Sequence, residues 1–475
     1  MGMTWAYGWI STASLASCHF SILSMKAIFA RRKTSTLDER NFTPDFSQMV
    51  RIVRFNSVGF FFTDFVIPYV AGVMLGGSGL QVGLMYSFLT LGSSISGFLV
   101  GFLTDHMSKK TLVFIGASGR AASYIIIYSA IIVQSLFLLN IGTFALGFLV
   151  AFFWVPYDTL VSQKSNKNHR SLAFGRRTGA QGQGMLIGAI FGIAVFAIMT
   201  YVTPGNYALI YSPMLFYFVS NIVGGIIFLR NVDEKLTWKF LNRSRDAEDL
   251  LSSSETNVAG ASNDPENGNS KHSLPAHRKA FLIGFILLAT AYLLSNMNGS
   301  IAKPFMQIYL NRDIEQNAVF ILIAIAPASI IANLIGPKLG NLADHVNQYI
   351  GITVFSILAA LITWAVINVN TLWEFGLLEV ADMTLATTIS LLLSNIFSRI
   401  SIANRGKVIG FSTAFQDLGG SVGPILGGLA LDAFGVKMPF IISIFIVLAL
   451  IPAYLISIHK LKPHLAEKFE ENPED

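Results

Sequence analysis

Two apolar halves of this chain carry the same motifs in the same order, and this repeat restricts its possible folds more than any other feature. A Gly-x-x-x-Asp motif at Gly101 and Asp105 returns 239 residues later at Gly340 and Asp344. A second set returns at a constant offset of 235 residues. Its matched positions are Arg170, Gly175, Gln181, Gly184, Gly188 and Gly192, then Arg405, Gly410, Gln416, Gly419, Gly423 and Gly427. We therefore predict two similar membrane-embedded halves in tandem, an arrangement common in transporters.

The composition agrees with a membrane location. Of 475 residues, 53% are hydrophobic and 13% are charged, whereas soluble domains carry roughly 25% charged residues. The single cysteine, Cys18, excludes an intramolecular disulfide. The sequence has no Gly-x-x-x-x-Gly-Lys phosphate loop and no Cys/His cluster. We therefore predict that the protein is not an enzyme, uses no ATP, and holds no metal or cofactor.

Twelve apolar segments each approach the ~20 residues that a helix needs to cross a bilayer. The predicted spans, numbered 1 to 12, are 54–76, 81–103, 110–133, 137–160, 175–200, 207–229, 280–303, 316–338, 349–369, 371–396, 407–431 and 438–458. The fold class predicted is thus an all-α integral membrane protein with two six-helix bundles.

Basic residues are concentrated in one set of short loops, which includes Lys109, Lys110 and Lys164, and the other set is nearly free of them. By the positive-inside rule both termini are then cytoplasmic, and we predict the cell membrane as the location. The net charge of +6 reflects this placement and does not indicate nucleic-acid binding. The predicted regions are a cytoplasmic extension 1–50, a bundle 51–230, a largely disordered linker 231–279, a bundle 280–460 and a tail 461–475. The extension is either unstructured or an interfacial amphipathic segment, and the linker is either a plain connection or a regulatory segment.

From about Val50 to Lys460 the chain resembles the major facilitator superfamily. Family members carry Gly-x-x-x-Asp-Arg-x-Gly-Arg-Arg after helix 2. Here Gly101, Asp105, Lys109 and Lys110 match this motif, whereas positions 106 and 108 depart from it. A degenerate copy at Gly340 and Asp344 follows span 8, and 419–428 resembles helix 11 of many members. The resemblance implies twelve helices in two pseudo-symmetric bundles, alternating access, and a cytoplasmic latch at Asp105 and Asp344.

Glycines spaced by four residues give spans 5 and 11 a smooth face. They are Gly184, Gly188 and Gly192 in span 5, and Gly419, Gly423 and Gly427 in span 11. Such faces allow close helix approach. Either these helices rock against the opposite half, or the glycines provide static close packing.

Five ionisable residues lie near one depth of the membrane, if each span rises about 1.5 Å per residue. They are Asp64, Arg120, Glu379, Asp382 and Asp417. A charge at this depth costs at least ~2.5–3.5 kcal/mol, so it is kept only if it is paired or faces water. We predict that these residues bind substrate or couple protons, with Glu379 and Asp382, three residues apart, sharing a proton.

The remaining polar residues at depth leave alternatives open. Arg120 either holds span 3 against an acid of its own half or contacts substrate. Lys303, near the outer end of span 7, is predicted to extend its ammonium group to the interface. The candidates to line the cavity, or else to bond between helices, are Tyr69, Gln181, Asn296, Asn298 and Gln416.

The sequence therefore predicts a secondary transporter of a small solute, monomeric, coupled to protons and embedded in the lipid bilayer. The acidic midplane favours export of a cationic or amphipathic compound. Family antiporters often carry an Arg in helix 4 and a Gly-Pro in helix 5, and this chain has neither, with Gly188 followed by alanine. Uptake of a neutral metabolite such as a sugar is thus one alternative. A receptor or scaffold that moves nothing is another.

Overall fold

The computed structural model describes residues 41–166, 170–238, 277–399 and 405–461. These residues form twelve long helices, and one isolated β-bridge joins Phe42 to Ser165. Most of the predicted extension, linker and tail lies outside the described residues. Within them, nine helices are long and apolar enough to cross a membrane, and the apolar part of a tenth, Ala318–Ala332, is shorter. The prediction of an all-helical membrane protein is confirmed.

The helices of the first half are α1 (Phe46–Met74), α2 (Gly79–His106), α3 (Lys109–Val133), α4 (Leu136–Gln163), α5 (Arg170–Val202) and α6 (Pro213–Asn231). Those of the second half are α7 (His277–Ile301, resumed at Met306–Asp313), α8 (Ala318–His345), α9 (Gln348–Val366), α10 (Leu372–Arg399), α11 (Arg405–Phe434) and α12 (Met438–Leu461). A single turn, Tyr207–Ile210, precedes α6.

Two of these helices are irregular. Helix α1 changes to π geometry at Val70–Met74, two residues after Pro68. Helix α7 breaks at a 3₁₀ turn, Lys303–Phe305, which contains Pro304. Proline lacks the N–H that a helix interior requires, so helices bend or break beside it. Span 7 was predicted to end at 303, and the structure instead shows a further segment beyond the break.

The two halves meet through α2 packed on α11 and α5 packed on α8. We name the end of the molecule that contains Lys109 and Lys164 the basic end. At the opposite end, α2 and α11 touch backbone to backbone. A Cβ atom at Gly79 would lie 2.9 Å from Leu431, and one at Gly83 would overlap the carbonyl oxygen of Pro424. The helices are therefore joined at the opposite end.

The contacts between these two helices continue to the middle of α2. A Cβ atom at Gly420 of α11 would lie 3.7 Å from Thr90 of α2. Further along α2, no described atom lies within 4 Å of the Cβ position of Gly97 or Gly101. The described contacts between α2 and α11 thus run from the opposite end to Thr90.

The repeated glycines of α5 and α11 pack within their own halves. A Cβ atom at Gly188 would overlap the carbonyl oxygen of Val58 on α1, and one at Gly423 would overlap that of Met297 on α7. In this conformation the glycines provide close packing within each half, and rocking of these helices stays a prediction. The nearest neighbours of four further glycines also belong to the same half as the glycine itself. These glycines are Gly184, Gly192, Gly419 and Gly427.

Candidate functional site

A cavity of about 460 Å³ lies among the helices of the second half, beside α2. Side chains of α7, α9, α10, α11 and α12 line it, with Thr90 of α2 on the far wall. Three carboxyl groups face this space, those of Glu379, Asp382 and Asp417. The structure thus brings together three of the five predicted deep charges.

Glu379 and Asp382 sit on one face of α10, as their spacing predicts. Glu379 is 2% exposed, and its Oε2 atom has no hydrogen-bond partner among the described residues. Asp382 accepts a hydrogen bond of 3.3 Å from Thr363 of α9. Asp417 is half-buried on α11. A buried carboxyl without a partner is unfavourable when ionised, so this wall favours either protons or bound cations.

Asp64 faces the other half of the molecule, where it pairs with Lys303. The Lys303 Nζ atom lies 3.1 Å from Oδ2 and 3.2 Å from Oδ1 of Asp64. The Tyr86 hydroxyl donates to Asp64 Oδ1 at 3.1 Å. Lys303 also lines the cavity, so the prediction that it extends to the interface is wrong.

A sequence signal for this pair existed. Lys303 follows Asp64 by 239 residues, the offset of the Gly-x-x-x-Asp repeat. Asp64 and Lys303 are therefore equivalent positions of the two halves. Positions related by a pseudo-two-fold axis face each other when they lie close to that axis, as these do.

Arg120 lies inside the first half. It is fully buried and donates to the side-chain oxygen of Asn56, to its backbone oxygen at 3.2 Å and to the Tyr124 hydroxyl at 3.3 Å. Its guanidinium carbon lies 4.4 Å from the centre of the Phe60 ring. The predicted carboxylate partner is not found among the described residues, because an amide and an aromatic face satisfy the cation instead. Asn221 extends this cluster by accepting from Asn56 at 2.8 Å.

Some of the predicted cavity-lining residues line the cavity, and others do not. Asn296 and Asn298 line the cavity, and the Oδ1 atom of Asn298 has no partner among the described residues. Tyr69 stacks on Phe65 with ring centres 5.3 Å apart, away from the cavity lining. Gln181 accepts from Arg177 at 3.0 Å within the first half. The side chain of Gln416 lies outside the described residues.

The predicted gate motif at the basic end is partly described. Glu234, just after α6, accepts hydrogen bonds from Ser108 Oγ at 2.6 Å and from the backbone of Lys109 at 2.9 Å and of Lys110 at 3.4 Å. It also lies 3.5 Å from the Lys109 ammonium group. Glu234 therefore caps the N-terminus of α3. The side chains of Asp105 and Asp344, and the surroundings of Gly340, lie outside the described part of the chain, so the latch stays a prediction.

These contacts set the charge state of Glu234. Burial alone raises the pKa of its carboxyl group, but the hydrogen bonds from Ser108, Lys109 and Lys110, with the charge of Lys109, outweigh burial and hold the pKa below its ordinary value. Beside it, the Lys164 ammonium group binds Asp45 at 2.6 Å. The loops at the basic end of the first half are thus tied to α3, α4 and α6.

A carboxylate that the sequence analysis missed joins the halves at the opposite end. Asp432, near the end of α11, accepts hydrogen bonds from the backbone N–H groups of Gly79 at 2.6 Å and Leu80 at 2.8 Å. These are the first two residues of α2, whose N–H groups have no partner within the helix. The Ser78 side chain accepts a hydrogen bond from the backbone of the third residue, Gln81, in a capping box. Asp432 and Ser78 therefore share the cap of α2 across the boundary between halves.

Comparison with known proteins agrees with this architecture. The Major Facilitator Superfamily profile matches residues 53–401 and 288–474. "Multidrug resistance protein MdtG" of Salmonella paratyphi C (strain RKS4594) is 25% identical over 376 residues, covering 77% of this chain and 82% of that protein. The protein of that name from Dickeya zeae (strain Ech586) is 25% identical over 381 residues, covering 78% and 82%.

Two solved structures share the fold. A bacterial homologue of the human lysosomal transporter Spinster, in an inward-facing and unoccupied conformation, superposes with a TM-score of 0.67 at 12% identity, covering 89% of this chain and 99% of that one. A point mutant of the nucleoside transporter NupG gives a TM-score of 0.60 at 15% identity, covering 87% and 99%. Together with the profile match, this two-bundle fold places the chain in the Major Facilitator Superfamily, as a membrane transporter and not an enzyme.

Proposed function

We propose that this protein exports a cationic or amphipathic compound in exchange for protons. The observation that carries the proposal is the charge of the cavity. Glu379, Asp382 and Asp417 line it together, and Lys303 is the one Lys or Arg among its described lining residues. The cavity thus has an excess of acid that a substrate cation or protons can neutralise.

Exchange follows from competition for these carboxyl groups. An ionised carboxyl at this depth costs at least ~2.5–3.5 kcal/mol unless a cation lies beside it. Protons and a cationic substrate are therefore alternative ways to stabilise Glu379, which is buried with one oxygen unpartnered among the described residues. A site that releases one on binding the other couples their opposite movements.

The size of the cavity and the relatives support the same substrate class. Pockets for small organic molecules measure roughly 300–1,000 Å³, and this cavity measures about 460 Å³. The relatives at 24–25% identity are named multidrug resistance proteins. A substrate of a few rings with a positive charge fits both facts.

We take the basic end to be cytoplasmic, as the positive-inside rule requires. The contacts of α2 with α11 then close the outer side of the molecule in the described conformation. We place the protein in the cell membrane as a monomer, with both termini cytoplasmic. Alternating access then closes the basic end and opens the opposite end.

The test uses purified protein in liposomes with an imposed pH gradient and a cationic dye. Wild type is expected to move the dye against its gradient, and Glu379→Gln is expected to lose this movement. Glu374→Gln is the matched control, since Glu374 lies exposed on the same helix and outside the cavity lining. Dye movement that is equal in all three proteins contradicts the proposal.

A neutral polar solute is the second candidate, favoured by the amide groups in the cavity wall. Asn296 and Asn298 both face the space, and Asn298 Oδ1 is unpartnered within the described part of the chain. A solute with hydroxyl groups would satisfy these atoms. This candidate is supported if the liposomes move no dye but exchange a labelled sugar or nucleoside, and if Asn298→Ala abolishes that exchange.

A further inference from the structure

We propose that Lys303 is an internal counter-ion. Its ammonium group pairs with Asp64 while the cavity holds no substrate, and a cationic substrate displaces it. The inference deepens the proposed export and rests on it for the substrate class. It gives Lys303 the role of a specificity-determining residue. A molecule that carries its own positive charge can replace the lysine on Asp64, and a neutral molecule cannot.

The geometry of the pair fits a replaceable contact. Lys303 approaches both oxygens of Asp64, at 3.1 and 3.2 Å, yet the two side chains are 44% and 43% exposed. With this much exposure, the pair is open to competition from another cation. The Tyr86 hydroxyl, at 3.1 Å, holds the Asp64 carboxylate in place from the first half. Departure of the lysine therefore leaves an oriented carboxylate.

The backbone at Lys303 also permits movement. The residue begins the 3₁₀ turn Lys303–Phe305, between the two helical segments of α7. Transporters commonly place substrate sites at such interrupted helices. Because the turn interrupts the α-helical ladder of α7, the ammonium group can be repositioned without repacking a continuous helix.

The acidic wall of the cavity provides a destination for the displaced lysine. Lys303 lines the same space as Glu379, Asp382 and Asp417. An ammonium group that leaves Asp64 therefore stays among carboxyl groups. When substrate departs, the lysine returns to Asp64, so the site does not remain with an unpaired charge between the halves.

The repeat explains why a cation and an anion meet here. Asp64 and Lys303 occupy equivalent positions of the two halves, 239 residues apart. A symmetric pair would have placed like charges against each other, which is unfavourable at short range. With opposite charges, the two halves are joined by an attraction that substrate binding interrupts.

The experiment measures equilibrium binding of tetraphenylphosphonium, a permanent cation, to the purified full-length protein. Lys303→Met removes the competing ammonium group, so we expect the phosphonium to bind about fivefold more tightly, the upper range for an exposed ion pair. Lys303→Arg keeps the charge and is expected to bind like wild type. In an Asp64→Asn background, Lys303→Met is expected to produce much less gain. Triphenylphosphine oxide, a neutral probe of similar shape, is expected to be insensitive to all these changes.

Controls separate this inference from folding and from the proposed export. Lys437→Met removes the same charge from an exposed lysine outside the cavity lining and is expected to leave binding unchanged. Thermal unfolding confirms that each variant is folded, and Lys303→Ala is used if the Met variant is not. Phosphonium binding that is unchanged, weaker or absent in the folded Lys303 variant overturns the inference. Tighter binding in that variant, without gradient-driven dye movement by wild type, refutes the export proposal and leaves the role of Lys303 standing.

Discussion

Replacing Asp432 with asparagine is expected to shift the protein away from the conformation that is closed at the opposite end. The carboxylate accepts two hydrogen bonds, of 2.6 and 2.8 Å, from Gly79 and Leu80 at the N-terminus of α2. Asparagine retains one acceptor oxygen and loses the negative charge. The contact exists only while α11 and α2 are joined there, so its loss acts on one conformation and not on the other.

The magnitude follows from the exposure of the site. A carboxylate at a helix N-terminus contributes about 0.3–1 kcal/mol when exposed and up to ~2 kcal/mol when partly buried. Asp432 is exposed, whereas Gly79 is buried. We therefore expect a loss of about 1 kcal/mol, which changes the ratio of the two conformations about fivefold.

Spin-label distance measurements give this ratio directly. Labels at Val133 and Asn368, exposed positions at the opposite end of the two halves, report its opening in a Cys18→Ser background. The population with a long distance is expected to increase about fivefold in Asp432→Asn. Asp313→Asn, which removes another exposed carboxylate at the same end, is the control. A change below twofold, or an equal change in the control, would refute the reasoning.

Further variants test the packing and the basic end. Gly188→Leu is expected to destabilise the protein by at least about 1–3 kcal/mol because its side chain overlaps the carbonyl of Val58, while Gly101→Ala, in open space, is expected to have little effect. Lys164→Met is expected to cost about 3–5 kcal/mol, since it leaves a partner carboxylate unpaired at a buried site. The folded-state pKa of Glu234 is lowered, so its stabilisation is present above the ordinary value of 4.5 and lost as pH falls through the lowered pKa. Glu234→Gln is expected to remove that acid dependence.

Thermal unfolding in detergent checks these three results. Equal melting temperatures for Gly188→Leu and Gly101→Ala would contradict the packing assignment. Stability of Lys164→Met equal to wild type would show that the buried ion pair contributes nothing. An acid dependence that persists unchanged in Glu234→Gln would assign it to other carboxyl groups.

Features that depend on the local chain were predictable. Apolar length identified the spans, because each helix must satisfy its own backbone within the bilayer. The repeat identified the two halves. The i, i+3 spacing of Glu379 and Asp382 placed both on one face of α10, where the structure has them lining one cavity.

Partners across the molecule were not predictable in this way. Arg120 was expected to meet either a carboxylate of its own half or substrate, and instead it binds Asn56. The sequence left open whether the glycines of α5 and α11 face the opposite half or their own half. In the structure they pack against α1 and α7. Successive residues of a helix differ by about 100° around its axis, so a small rotation decides which neighbour a side chain meets.

The sequence by itself determined that this chain spans a membrane as two related bundles. Hydropathy and repeat spacing are properties of the chain, and they suffice for that conclusion. Only the tertiary structure decided that Lys303 meets Asp64 and that Asp432 caps α2. Those contacts join residues 239 and 353 positions apart. They depend on how the two bundles are rotated and tilted against each other, which packing between the bundles determines.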